Sequence, residues 1–302
     1  MKNKISIFFI VSIFTLFSTT QVFSQYEIKT NTEISWATDV ITIEATVDLP
    51  DDVTNITSER FKITEFIDRK LTNIAMSAFN DIYLDSLTTL GDFFSSSMQG
   101  LTDFDQINID KNHISSSMSL NLDSVTNYYK YDINKEIIPL IITHKKGAPI
   151  PEELNYEPSA NFSGIIIYAK DELPYYGEQG RKLLKPAIFP KLYTEKMDQV
   201  VTYKMADPEF LSKWGFVQYT YDLNELKYEE RIGRYPFRTT AEGIFGNNCT
   251  DILITEEAAR KLLYNPANRR LIKEGRILII INKEENPKQE NSIKKIATSS
   301  VN

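Results

Sequence analysis

Few residues of this chain are of the types that carry out chemistry, and they are widely spaced. The 302 residues include two histidines, His113 and His144, and one cysteine, Cys249. Zinc sites need a set of Cys and His ligands, and calcium loops need a D-x-D-x-D-G run; neither pattern occurs. Cys249 lies in "NNCTD", which has no histidine or basic residue to activate a thiolate. We therefore expect no catalytic residue, no metal and no cofactor.

Paired carboxylates are the other candidates for catalysis. Acid–base catalysis needs two carboxylates that converge from different environments. Neighbouring residues point to opposite faces of a strand and lie about 100° apart on a helix, so adjacency alone does not produce such a pair. A hydrolase that uses carboxylates from distant parts of the chain is an alternative function, but no sequence motif indicates it. The adjacent pairs are Asp51-Asp52, Asp171-Glu172, Glu229-Glu230 and Glu256-Glu257.

The N-terminus predicts export. Lys2 and Lys4 precede the apolar run "ISIFFIVSIFTLF". This run is shorter than the roughly 20 apolar residues that a transmembrane helix needs. "QVFSQ" places small residues before a cut at Gln25, so residues 1–24 read as a cleavable signal peptide. Retention as an uncleaved anchor is the alternative. The sequence has no lipobox cysteine and one cysteine in all, so we expect a periplasmic protein without a lipid anchor or an internal disulfide.

The rest of the chain divides by charge. Residues 25–160 hold 10 Lys and Arg against 22 Asp and Glu, whereas residues 161–282 hold 18 against 16. "HKKGAPIPEELNYEPSA", with three prolines, predicts extended backbone between them. We expect an acidic α+β domain at 25–143, a linker at 144–160, a mixed-sheet domain at 161–282 and a disordered tail at 283–302. The acidic balance argues against nucleic acid and against anionic membranes as partners.

Periodicity predicts the elements of the first half. "VITIEATVDL" alternates as a half-buried strand does, and apolar residues from Ile63 to Ala78 recur at helical spacing on a helix from about Thr57 to Asn80. The alternation from Ile114 to Leu122 predicts another strand, and "EIIPLIIT" a closing strand.

Capping and turn residues predict the elements of the second half. "GIIIYA" and "RILIII" predict buried strands, and "KLYTEKMDQVVTYK" predicts a hairpin that turns near Lys196–Asp198. Short helices follow Asp207, Thr255 and Asn265, which are good N-cap residues, and "DLNELKYEERIG" is a further capped helix.

The second half also resembles a known family. The stretches "SGIIIYAKDELPYYGE", "LKPAIFPKLYTEKMDQVVTYK", "GIFGNNCTDILITEEAARKLL" and "NRRLIKEGRILIIIN" resemble an uncharacterised family of exported spirochaete proteins. More distantly they are similar to outer-membrane-lipoprotein-like and flagellar envelope assembly proteins. This chain lacks the glycine-rich sequence that often follows the first strand in that wider family, and it lacks the lipid-attachment cysteine. The resemblance implies an envelope protein and supplies no catalytic residues.

The loop after "GIIIYA" is the leading candidate for interaction. A phosphate cradle needs glycines ahead of a helix, but this loop leads to "LLKPAIFP", whose prolines disfavour a helix start. Long loops in compact domains are uncommon and often functional. Pro186 and Pro190 flank "AIF", which predicts either a protected edge strand or an edge that a partner covers. The predicted partner-binding residues are Asp171, Glu172, Tyr175, Tyr176, Arg181, Phe189, Arg231 and Arg234.

These observations predict an α+β protein with a strand–long helix–strand unit followed by a mixed-sheet domain with short capped helices. We expect a non-catalytic interaction or structural protein of the periplasmic envelope. Its partner would be another envelope protein or a second copy of the chain. A glycan- or peptide-binding module that uses the abundant tyrosines is the alternative. No later segment is apolar enough to cross a membrane.

Overall fold

The computed structural model describes residues 26–51, 53–96 and 112–283. The predicted signal peptide and the tail beyond residue 283 therefore lie outside the described residues. Helices and strands occur in similar amounts, so the chain has the predicted α+β fold. In the first half, four strands form an antiparallel sheet in the order β1-β2-β4-β3. The strands and the first two helices are β1 (Ile28–Ser35), β2 (Val40–Asp48), α1 (Ile56–Phe79), α2 (Leu90–Ser96), β3 (His113–Met118) and β4 (Ser124–Asp132).

Helix α1 confirms the predicted long helix and covers one face of this sheet. Asn55 caps it, because its side chain accepts a hydrogen bond from the Ser58 N–H at 3.0 Å. The stripe of Ile63, Ile67 and Leu71 is fully buried. On β2, residues of one face are buried and those of the other are half-exposed, as the alternation predicts.

The prediction of a closing strand at "EIIPLIIT" is wrong. The chain there forms a π-turn, Ile133–Ile137, that continues into helix α3, Ile138–Ile141. The Asp132 carboxylate accepts from the N–H groups of Asn134 and Lys135, both at 3.0 Å, and this starts the helical turn. The buried isoleucines lie on the inner side of the turns, so burial does not require an extended chain.

The strand predicted through Leu122 is shorter than expected. Strand β3 ends at Met118, and Leu120 and Leu122 lie in the turn before β4. Leu122 has a φ of 60°, in the left-handed region, which ends the alternation. Both leucines are more than half exposed, so the turn breaks the pattern that their apolar character would continue.

The second half contains two four-stranded sheets and a small hairpin. The first sheet is parallel, in the order β10-β14-β5-β11, and the second is mixed, in the order β12-β13-β8-β9. The strands are β5 (Ile165–Ala169), β6 (Leu173–Pro174), β7 (Arg181–Lys182), β8 (Leu192–Thr194), β9 (Gln199–Val201), β10 (Gln218–Thr220), β11 (Phe237–Thr240), β12 (Gly243–Phe245), β13 (Asp251–Ile254) and β14 (Ile277–Ile281). The helices are α4 (Pro208–Trp214), α5 (Glu229–Ile232), α6 (Glu256–Tyr264) and α7 (Pro266–Lys273).

Several predictions about this half are confirmed. Strand β14 is buried along its whole length and β5 nearly so, as central strands of a parallel sheet are. Strands β8 and β9 form the predicted hairpin. Thr255 caps α6, and its side chain accepts from the Ala258 N–H at 3.1 Å. Asp207 precedes α4 in an extended conformation, but its carboxylate accepts from the Gly147 N–H at 2.9 Å and not from the helix.

The two halves pack against each other through a shared apolar core. The ring of Trp36, which follows β1, meets the ring of Tyr219 in β10 edge to face at 5.7 Å. The Gln218 side chain donates to the Ala37 carbonyl at 3.1 Å. The predicted linker has no regular secondary structure and lies along the second half, where Ser159 Oγ donates to the Lys261 carbonyl at 2.8 Å.

Candidate functional site

The predicted loop forms a short hairpin that packs on the mixed sheet. Strands β6 and β7 pair, and Tyr175 forms a bridge with Ile244 of β12. The Tyr175 side chain is buried, with Lys182 Nζ at 3.9 Å from the ring centroid. Arg181 Nε donates to the Glu172 carbonyl at 3.0 Å. Of the predicted partner-binding residues in this loop, four stay exposed: Asp171, Glu172, Tyr176 and Arg181.

Phe189 lies inside the molecule and not on the surface. Its ring stacks on Tyr203 with a centroid separation of 4.1 Å, and its N–H donates to the Leu84 carbonyl at 2.8 Å. The Ile188 N–H donates to the Tyr83 carbonyl at 3.0 Å. The predicted edge strand at "AIF" does not form. Two of its N–H groups bond to the first half of the chain, and Ala187 exchanges hydrogen bonds with the Tyr219 hydroxyl of the second half.

Arg231 is also buried, whereas Arg234 is exposed. The Arg231 guanidinium donates to the carbonyls of Trp214, Gly215 and Gly275. Burial lowers the pKa of Arg231 to about 9. Arg234 pairs with Glu229 at 2.6 Å. Of the two arginines predicted to bind a partner, the structure therefore leaves only Arg234 accessible.

A polar cluster joins the two halves beside Phe189. Lys191 Nζ lies 3.1 Å from Asp85 Oδ2, and the Lys191 N–H donates to Asp251 Oδ1 at 3.1 Å. Burial raises the pKa of Asp251, while hydrogen bonds from the Leu87 N–H and Thr88 and the charge of Lys191 hold the pKa of Asp85 below its usual value. Opposed shifts in two nearby acids are typical of acid–base catalysis, but Asp251 is fully buried and out of reach of a substrate. This cluster therefore connects the halves.

Asp39 gives this junction a dependence on pH. Burial raises the pKa of Asp39 to about 6, against hydrogen bonding from Asn134 and attraction by Arg231. The unfolded value is about 3.9, so the folded state binds this proton more tightly. Its contribution to stability is complete below about pH 4 and is lost as pH rises through about 6. Asp39 has a φ of 54°, which asparagine tolerates.

We expect Asp39→Asn to raise the free energy of unfolding by about 1–3 kcal/mol at pH 7.5 and to change it little at pH 4. Urea denaturation at the two pH values measures the difference. The exposed Asp171→Asn is the matched control and should shift stability by less than about 0.5 kcal/mol at either pH. A less stable Asp39→Asn protein at pH 7.5 would show that Arg231 needs the carboxylate.

The edge of strand β11 is the most open part of the parallel sheet. The Phe237 N–H donates to Gly164 and the Ala241 N–H to Tyr168, both at 2.8 Å, so these groups point toward β5. Backbone groups alternate in direction along a strand, so the N–H groups of Arg238 and Thr240 point away from the sheet. Among the described residues, no strand pairs with that side of β11. The edge therefore presents outward N–H groups that no described strand pairs with.

A groove of about 250 Å³ lies beside this edge. It runs between β11 and the 3₁₀ turn Glu225–Tyr228 that precedes α5. Three large side chains nearby are exposed: Leu223 by 59%, Leu226 by 79% and Tyr235 by 77%. The groove is lined by Glu225, Leu226, Glu229, Ile232, Gly233, Arg234, Pro236 and Arg238.

The positive charges of the groove lie nearer the solvent than the negative charges. Arg238 Nη2 lies 2.5 Å from Glu225 Oε2, and Arg234 Nε lies 2.6 Å from Glu229 Oε1. In each pair the arginine side chain is the more exposed, at 48% against 18% and 78% against 45%. The hydrogen bond from Arg238 holds the pKa of Glu225 below its usual value, so this carboxylate is ionised at neutral pH. The mouth of the groove is therefore basic, and its deeper part is apolar and acidic.

Two family models match the chain. They describe the N-terminal domain of Treponema pallidum Tp0624, over residues 27–140, and the second domain of the same protein, over residues 164–283. These matches indicate a spirochaete-specific protein family. The chain is thus similar to Tp0624 over both of its halves and in the same order. No curated protein matches it.

The similarity to Tp0624 covers the two candidate surfaces, which are the β6–β7 hairpin and the groove beside the β11 edge. The matched second domain includes the β6–β7 hairpin, the groove and the β11 edge, which lie within 164–283. The matched N-terminal domain includes the antiparallel sheet and α1. Among the described residues, no helix has the length and apolar character needed to cross a membrane. Of the residues missed by the sequence prediction, Glu225, Leu226 and Pro236 carry no local signal, because only the strand order places them at an open edge.

Proposed function

We propose that this protein is exported to the periplasm and serves there as an envelope-associated interaction protein. The N-terminal basic and apolar segments support export. The resemblance of the second half to outer-membrane-lipoprotein-like and flagellar envelope assembly proteins supports an envelope partner. The free edge of β11 beside the groove is the observation that carries the proposal, and the role proposed for this surface is binding.

The partner that fits this surface is an extended polypeptide segment with acidic residues. A strand added to β11 would pair with the N–H groups of Arg238 and Thr240, and its alternate side chains would enter the groove. An apolar side chain would contact Leu226 and Pro236, and neighbouring carboxylates would meet the exposed guanidinium of Arg234. A glycan has no comparable use for a row of backbone groups, which favours a peptide.

In-cell photocrosslinking tests this proposal. A photoreactive residue at Thr240, on the free edge, should give an adduct with a defined envelope polypeptide. The same residue at the exposed Asn31 should give none.

A pair of variants at Thr240 tests the role of its N–H group. Thr240→Pro removes the outward N–H and should weaken binding of that polypeptide at least about tenfold, whereas Thr240→Ala keeps the N–H and should bind normally. Adducts between two copies of the chain would identify a self-association edge instead of an acidic partner. Equal adducts at both sites, or binding that Thr240→Pro leaves unchanged, would refute strand addition.

A further inference from the structure

Three polar side chains of the first half line up in the order nucleophile, base and carboxylate. Ser116 Oγ lies 3.1 Å from His113 Nε2, and His113 Nδ1 lies 3.3 Å from Asp68 Oδ1. Both distances fall within or just beyond the hydrogen-bond range that such relays show before a substrate binds. The two nitrogens of one imidazole therefore connect a hydroxyl to a carboxylate, which is the arrangement that a serine nucleophile requires.

A β-bulge brings the histidine and the serine together. Residues three apart on a regular strand point to opposite faces. The register between β3 and β4 shifts between His113 and Ser115, where two steps on β3 match one step on β4. Ile114 is the extra residue and is 57% exposed. His113 and Ser116 consequently point to the same face, toward α1, and a bulge that re-aims a side chain in this way is typical of functional sites.

The carboxylate is held in place by the core. Asp68 lies on α1, and its Oδ1 accepts a hydrogen bond from the buried Tyr129 hydroxyl at 2.6 Å. Burial and this hydrogen bond raise the pKa of Tyr129, so the phenol stays a proton donor. The His113 ring packs on the Tyr129 ring at a centroid distance of 5.1 Å. Asp68 and Tyr129 therefore fix the orientation of the imidazole.

Solvent reaches this cluster at the edge of the sheet. The side chains of His113 and Asp68 are 23% and 35% exposed, and Ser116 is half-buried. Arg60 Nη2 donates to the Ser116 carbonyl at 3.0 Å, which brings a guanidinium next to the serine. A cation beside the nucleophile can stabilise the negative charge that develops on an acyl oxygen.

The Ser116 hydroxyl has two acceptors within reach. It donates to Asn127 Oδ1 at 2.7 Å, and His113 Nε2 is the alternative at 3.1 Å. Rotation of the hydroxyl proton from the amide to the imidazole starts the relay without movement of a heavy atom. Asn127 is fully buried, and its amide oxygen holds the serine hydroxyl in position until the proton turns to the imidazole.

We infer that Ser116 is an acyl-accepting nucleophile toward small esters, an activity independent of the β11 surface. Ser116 Oγ attacks the ester carbonyl while its proton passes to His113 Nε2. The bond to the leaving alkoxide breaks, and His113 returns the proton to that alkoxide as an alcohol. Water then attacks the acyl-serine by the same route, which releases the carboxylic acid and restores the hydroxyl.

A fluorophosphonate probe tests the nucleophile directly. Ser116 Oγ should displace fluoride from phosphorus, and peptide mass mapping of the labelled full-length protein should place the adduct on Ser116. Hydrolysis of p-nitrophenyl acetate above the buffer rate should disappear in Ser116→Ala. His113→Gln should slow both reactions by about 10²–10⁴, the usual contribution of a general base.

Exposed neighbours on the same strand provide matched controls. Ser115→Ala and Ser117→Ala remove hydroxyls outside the relay and should leave both reactions unchanged. Mapping of the adduct on the unmodified protein needs no variant, so it decides the question even if Ser116→Ala fails to fold. An unlabelled Ser116, a label spread equally over residues 115–117, or full reactivity in a folded His113→Gln protein would overturn the inference. None of these outcomes bears on strand addition at β11.

Discussion

Replacing Arg231 by lysine is expected to lower the free energy of unfolding by about 3 kcal/mol. The guanidinium donates through Nε to Gly275 at 2.9 Å, through Nη2 to Gly215 at 3.0 Å, and through Nη1 to Trp214. A lysine ammonium is a single point on a shorter chain and cannot reach carbonyls on three sides. Buried carbonyls would lose their donors while a buried charge remains, and both effects destabilise the folded state.

Chemical denaturation at neutral pH measures this loss, and two further variants define its cause. Arg234→Lys changes an arginine whose side chain is 78% exposed and should shift stability by less than about 0.5 kcal/mol. Arg231→Met removes the charge as well as the donors. If Arg231→Met were as stable as the natural protein, the hydrogen bonds to the three carbonyls would contribute nothing, and burial of the side chain alone would explain its position.

Arg231 was wrongly predicted to lie on a partner-binding surface, and its contacts explain why. Its charge predicts exposure, and its neighbours Arg234 and Arg238 are indeed exposed to a larger degree. Its partners, however, are backbone carbonyls at the end of α4 and before β14, and carbonyls leave no trace in residue type. A buried arginine that binds backbone therefore looks the same in a sequence as a surface arginine that binds a partner.

Elements whose signals are local were predicted well. The periodic apolar stripe of α1 and the Thr255 cap of α6 depend on residues within a turn or two of each other, and both are confirmed. The segment 136–143 was assigned to the wrong class because isoleucines suit a buried strand and a buried helical turn equally. There the Asp132 carboxylate decided the outcome through two backbone N–H groups.

The candidate sites depend on contacts that are distant in the sequence. The open edge of β11 follows from the strand order β10-β14-β5-β11, which no local pattern contains. His113 and Ser116 have a spacing that predicts opposite faces, and only the bulge at Ile114 reverses it. Asp68 is on another element altogether. Isolation along the chain is thus a poor guide to isolation in space for histidine.

The junction between the two halves rests on a close approach at Gly246. Its φ of 86° lies in the left-handed region, and a Cβ built there would fall 2.3 Å from Ser86 Cβ. Ser86 belongs to the first half and Gly246 to the loop after β12, where the Asn248 N–H donates to the Ser86 carbonyl at 3.2 Å. Glycine is needed at this position for both its backbone conformation and the absence of a side chain.

We expect Gly246→Ala to lower the free energy of unfolding by about 2–4 kcal/mol, the sum of backbone strain and overlap with Ser86. Gly177→Ala separates the two contributions, because Gly177 has a φ of 89° but nothing within 4 Å of a built Cβ. That control should lose only about 1 kcal/mol. In a Ser86→Gly background the overlap is relieved, so a double-mutant cycle should show a coupling of at least about 1 kcal/mol. Equal losses in Gly246→Ala and Gly177→Ala, with no coupling to Ser86, would mean that the two halves do not depend on this contact.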